Sequence, residues 1–178
     1  MRRTHLVLPF LVLVALAFLP QTYRLCPAVA VPPLLQDSLS RLAEKALANK
    51  EVPIGAVLLY RDSIIGSGFN TVVRDSILSG HAEINAINDA YQRCGMNWKN
   101  LDRSELTLFS TYEPCEMCKG ALLHYGIRHV VFEGPKPALG QAKTILRNWQ
   151  YECQKRRMNA PDLQENLFRR HPSYHHPN

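Results

Sequence analysis

"VPIGAVLLYRDSIIGSGFN", residues 52–70, carries two apolar runs on either side of the polar pair Arg61-Asp62. Runs rich in Val, Ile, Leu and Tyr around a two-residue break predict strand, tight turn, strand. Upstream, "PPLLQDSLSRLAEKALAN" opens on prolines and then spaces Leu39, Leu42, Ala46 and Leu47 helically, which predicts a helix from about Leu34 to Asn49. Downstream, "TVVRDSILSG" reads as an irregular loop, and a helix begins near His81 and runs through Ile84, Ala86, Ile87 and Ala90. "ELTLFST" predicts a third strand, "CEMCKGALLHY" a helix with Cys118, Leu122 and Tyr125 along one face, and "RHVVFEG" a fourth strand. The remainder reads as helical with a break at Pro161. Helix, two strands, helix, strand, helix, strand is an α/β order, and it predicts a three-layer α/β/α sandwich with a mixed central sheet.

The chain of 178 residues is long enough for one substantial core, and it carries no repeat or low-complexity tract. "MRRTH" precedes a 14-residue apolar run, "LVLPFLVLVALAFL", at residues 6–19. That run is short of the roughly 20 residues a membrane span needs, so it reads as the core of a signal peptide, with an A-x-A-like cleavage site at Ala28 and Ala30, or as an uncleaved anchor. Three parts are expected: 1–30 as signal peptide or membrane anchor, 31–160 as the catalytic domain, and 161–178 as a C-terminal helix and polar tail. The expected location is exported, periplasmic or secreted, or membrane-anchored through that segment, and cytoplasmic if the leader is not functional. Without residues 1–30 the formal charge falls from +6 to +3. From Gln141 to Asn178 seven Lys or Arg face three acids, a basic stretch that could meet polyanions or simply be a solvated helix face. Five cysteines are too few for the dense framework of a small secreted scaffold. Cys94 and Cys153 read as buried thiols or as a disulfide pair.

Two stretches at predicted helix starts carry chemistry. His81 and Glu83 open one helix in "HAEINAI"; Cys115 and Cys118 open the next in "PCEMC". Cysteines three apart lie on one face of a helical turn, and the positive end of the helix favours their thiolates. Two thiolates and one neutral imidazole make a three-ligand zinc site that leaves a fourth position open to water, the arrangement of catalytic rather than structural zinc. Glu83 sits too close along the chain to His81 to join the same ion easily, yet within reach of that water, so it reads as the proton shuttle. Each half has an ordinary reading: a first-turn Glu compensates the helix dipole, and "CEMC" alone could be a thiol redox pair. Together, H-x-E and P-C-x-x-C in this order, with 30 residues between Glu83 and Pro114, reproduce the signature of zinc nucleobase deaminases.

On these motifs residues 34–140 resemble the cytidine and deoxycytidylate deaminase superfamily. "EVPIGAVLLYRDSIIGSGFN" and "TLFSTYEPCEMCKGALLHYGIRHVVF" look most like bacterial tRNA adenosine deaminases, whereas "FNTVV" and "HAEINAI" lean as much towards guanine deaminases. The resemblance implies one Zn2+ per chain on His81, Cys115 and Cys118, with Glu83 as proton shuttle. It also implies substrate contacts by the Asn70 side chain and the backbone N–H of Ala82, and a homodimer. The function expected is hydrolytic deamination of a free nucleobase or nucleoside, with tRNA adenosine-to-inosine deamination as the alternative and a non-catalytic zinc or thiol redox module behind both. The partners expected are a small-molecule base or nucleoside, nucleic acid under the tRNA alternative, and a membrane only through an uncleaved N-terminal segment.

Overall fold

The computed structural model describes residues 28–134 and 138–154. The elements run α1 (Pro33–Ala48), β1 (Gly55–Tyr60), β2 (Ser63–Phe69), α2 (Ala82–Cys94), β3 (Leu106–Tyr112), α3 (Glu116–His124), β4 (His129–Gly134) and α4 (Ala138–Gln154). Two short 3-10 segments, Gly95–Asn100 and Arg103–Glu105, join α2 to β3 and have no counterpart in the sequence reading. The expected boundaries otherwise agree to within a few residues. Pro161, the polar tail and residues 1–27 lie outside the described residues, and no described helix is long and apolar enough to cross a membrane.

The sheet order is β2-β1-β3-β4, with β1 antiparallel to both neighbours and β3 parallel to β4. It is therefore mixed, as the alternating order predicts. Period-two alternation along the strands divides the core between its faces. Ala56, Leu58, Leu106 and Leu108 point to one side and pack with Ala82, Ala86, Ile87 and Ala90 of α2 and with Leu122 of α3. Val57, Leu59 and Phe109 point to the other and meet Leu35, Leu39 and Leu42 of α1. Helices on both faces explain why β1 reads as a continuous apolar run rather than an alternating one.

Small residues set how deeply α2 seats. A Cβ on Gly66 would fall on the Ala86 carbonyl oxygen, and one on Gly68 would fall on the Ala82 carbonyl oxygen. The Ala82, Ala86, Ala90 stripe answers those glycines from the helix, so α2 and β2 approach backbone to backbone. Along α3, Cys118 and Leu122 are buried, but Tyr125 lies beyond the helix and is 44% exposed. The expected apolar face is one residue shorter than the spacing indicates. Two compact units divide the chain, residues 1–141 and 142–178. Within the second, Lys143 and Arg147 are exposed one turn apart on α4.

Candidate metal centre and active site

Both helix starts break the usual rule of N-capping. The N-cap residue is typically Ser, Thr, Asp or Asn, whose side chain accepts a free backbone N–H, and loss of such a cap costs about 1 kcal/mol. Here His81 caps α2 and Cys115 caps α3, both with extended backbone and neither with a side-chain cap bond. The two side chains turn towards each other instead. His81 Nδ1 lies 3.6 Å from Cys115 Sγ and 3.6 Å from Cys118 Sγ, and the two sulfurs are 3.6 Å apart. Tetrahedral zinc with bonds of about 2.3 Å to sulfur and 2.0–2.1 Å to nitrogen sets its donors roughly 3.5–3.8 Å apart. The measured triangle meets that requirement on every edge, so His81, Cys115 and Cys118 fit a zinc ion.

The electrostatics agree with a cation site. The Cys115 thiol falls to about 5, first through its hydrogen bond with the Cys118 sulfur and further because His81 lies near. Cys118 is pushed up by the same partnership, by burial and by the Glu83 carboxylate. Two thiolates this close repel unless one keeps its proton, and a divalent cation among the three donors removes that conflict.

Glu83 lies in the first turn of α2 at 3% exposure, with Cys118 Sγ donating to its Oε2 at 3.4 Å. Burial, opposed by the hydrogen bond from its own backbone N–H, pushes its carboxyl above the usual range. A carboxyl beside the donor triangle and inclined to hold a proton suits acid–base work. Asn70, just past the end of β2, is 4% exposed, and its Oδ1 accepts the Ala82 N–H at 2.9 Å. The two expected substrate contacts are thus bonded to each other. Among the described residues Cys94 is half-buried and Cys153 is exposed, and no disulfide joins the two. A hollow of about 750 Å³ between α1 and the β3–β4 face is lined by Leu39, Phe109 and Val131 but by none of these polar groups.

Sequence reasoning missed the polar frame around the site. Asn85 donates through Nδ2 to the Phe69 carbonyl at 2.8 Å, to Thr71 Oγ1 at 3.0 Å and to the Gly80 carbonyl at 3.4 Å. Glu51 and Thr71 are buried polar residues of the same neighbourhood. Asn85, one turn after His81, shares its helix face with the polar Asn88, Asp89 and Gln92, so nothing in the local pattern set it apart.

Residues 34–134 match the family model described as the cytidine and deoxycytidylate deaminase zinc-binding region. A tRNA-specific adenosine deaminase of Buchnera aphidicola subsp. Schizaphis graminum is 41% identical over 92 residues, which cover 52% of this chain and 58% of that protein. The chain thus spans somewhat over half the length of that curated relative. A structure solved in work on A-to-I editing by tRNA:A34 deaminases superposes with a TM-score of 0.50 at 29% identity, covering 57% of this chain and 75% of that one. Guanine deaminase from Bacillus subtilis superposes with a TM-score of 0.63 over 83% of this chain and 99% of its own, and at 21% identity that likeness speaks to the fold alone. The family description and the donor set agree on zinc as the cofactor. The expectation of an exported or membrane-anchored protein is corrected by the same relatives. They are named for action on tRNA, a substrate that an exported enzyme would not meet.

Proposed function

Because this chain belongs to the cytidine and deoxycytidylate deaminase family, matched over residues 34–134, we propose that it is a zinc-dependent hydrolytic deaminase that converts adenosine to inosine in tRNA. The observation that carries the chemistry is the His81, Cys115 and Cys118 triangle with the Glu83 carboxyl beside it. The substrate class is supported by the relative at 41% identity named as acting on tRNA and by the exposed Lys143 and Arg147 in a basic stretch.

Zinc, when bound, supplies the Lewis acidity that lowers the pKa of a water to roughly 7. Glu83 takes the proton that the attacking water gives up and delivers it to the ring nitrogen beside the attacked carbon. It then moves the proton of the newly added hydroxyl to the departing amine, so that the C–N bond breaks, ammonia leaves and a carbonyl remains. Its burial keeps that proton from bulk solvent. Asn70, with Oδ1 engaged by Ala82, presents its Nδ2 donors to the edge of the base, and Ala82, expected as a direct donor, serves first as the clamp on that amide. The homodimer expected from the resemblance belongs to this proposal; sedimentation of the zinc-loaded chain as a monomer would count against it.

The test is a panel of an RNA anticodon stem-loop with adenosine at the first anticodon position, together with guanine, cytosine, adenine and their nucleosides. Zinc-loaded full chain should release ammonia and leave inosine in the RNA. Deamination of a free base or nucleoside with the RNA untouched would replace this substrate by the small-molecule reading.

A further inference from the structure

Glu51 is a buried acid that the proposed chemistry does not use, 6% exposed at the junction of α1 and β1. Its backbone is fixed by the way α1 ends. The Lys50 N–H reaches the Leu47 carbonyl at 2.9 Å and the Glu51 N–H reaches the Ala46 carbonyl at 3.0 Å, with Lys50 at φ +60°. That is the paired closure of a Schellman motif, and it fixes the backbone from which Glu51 extends.

The side chain reaches 22 residues along the chain. Glu51 Oε1 accepts the N–H of Val73 at 2.7 Å and the N–H of Arg74 at 2.8 Å. Both belong to the loop 71–80, whose first turn closes with the Asp75 N–H on the Thr71 carbonyl at 2.9 Å. The loop's two ends are tied by the Thr71 N–H on the Gly80 carbonyl at 2.7 Å and by Asn85 Nδ2, which bonds to both ends. Asn70 stands immediately before this loop, and His81 and Ala82 stand immediately after it. The Arg74 guanidinium lies over the Phe69 ring at 5.1 Å, which braces the loop against the end of β2.

We propose that Glu51 is a positioning residue for substrate binding: anchored by the end of α1, it latches the loop 71–80 through the Val73 and Arg74 amides and so holds Asn70 and Ala82 in register with the base. The inference rests on the deaminase reading only for what the site binds; the latch stands on its own bonds. One buried oxygen that accepts two successive amides at these lengths satisfies both donors at once and stiffens a segment with few other buried anchors, whether that oxygen belongs to a carboxylate or to an amide of the same reach. Val73, Ile77 and Leu78 on the same loop are exposed, so packing contributes little to its shape.

Both bonds go to one oxygen, which makes the test sharp. Glu51→Gln keeps an acceptor at the same reach and removes the charge, whereas Glu51→Asp keeps the charge and falls short by one methylene. With the stem-loop substrate, Glu51→Asp should raise KM about tenfold with kcat within about threefold, and Glu51→Gln should stay within about threefold of the parent in both. Zinc content should be equal in all three. Amide exchange at Val73 and Arg74 should be slow in the parent and in Glu51→Gln, and about tenfold faster in Glu51→Asp. An unchanged KM in Glu51→Asp, an equal loss in both variants, or a loss of zinc would overturn the assignment. If the parent turns over nothing in the panel, the deaminase reading has failed, while the exchange rates still decide the latch. If Glu51→Asp does not fold, fast exchange at the two amides in the parent refutes the latch and slow exchange supports it.

Discussion

At the scale of single residues, the site is built by giving up local stability. His81 and Cys115 hold N-cap positions where Ser or Asp would serve the helices better, and their side chains are turned to each other. Glu83 is buried as a carboxyl beside two sulfurs, at 3.4 Å from one of them. Removing its acid–base function without changing its shape separates its role from that of the ligands. Glu83→Gln should lose about 10²–10⁴ in kcat and keep its zinc, measured by turnover together with metal analysis. Retention of more than a tenth of parent activity would remove Glu83 from the mechanism, and loss of zinc would make it part of the metal's support. These four residues are legible in the sequence because each pair sits within one helical turn, where spacing alone sets direction. Glu51 and Asn85 are not legible in this way. Their partners lie 22 and 14 residues distant, and nothing in the local pattern says that a glutamate after α1 should seek the amides of a later loop.

At the scale of elements, the metal triangle depends on how closely α2 lies on β2. Gly66 and Gly68 on the strand and Ala82, Ala86 and Ala90 on the helix leave no room for a further methyl group. Gly68→Ala would push the first turn of α2 outward, because its Cβ would collide with the Ala82 carbonyl one residue past His81. Overpacking of this kind costs about 1–3 kcal/mol, read as a lower Tm. Since the displaced turn carries His81, zinc affinity should fall as well, measured by competition with a chromophoric chelator. An unchanged zinc affinity would mean that the approach of α2 to β2 serves packing only. The pairing of these glycines with these alanines is not visible in the sequence, because the two sets lie on different elements. Tyr125 illustrates the converse: helical spacing placed it along one face with Cys118 and Leu122, yet α3 ends at His124 and the side chain is exposed.

At the scale of the whole molecule, the donors that would hold zinc lie at the start of α2 and the start of α3 on one face of the sheet, while α1 and its core lie on the other. Stripping the metal should therefore act unevenly. Tm should fall, and restoring free zinc to about a thousandfold above its Kd should return about 4 kcal/mol. Amide exchange should quicken in the first turns of α2 and α3 and change little in α1; uniform change, or no shift in Tm, would argue against a metal link between the two helices. The sequence by itself determined the element order and singled out the four candidate residues of metal and proton chemistry, because each follows from periodicity or spacing within a few residues. The mixed sheet follows from the same order. Only the tertiary structure decided that the three donors meet at 3.6 Å, that Asn70 and Ala82 bond to each other, and that Glu51 holds the loop between them. Those are contacts between segments distant along the chain, where the choice of partner is made by packing and by the need of buried polar groups for hydrogen bonds, which local pattern does not encode.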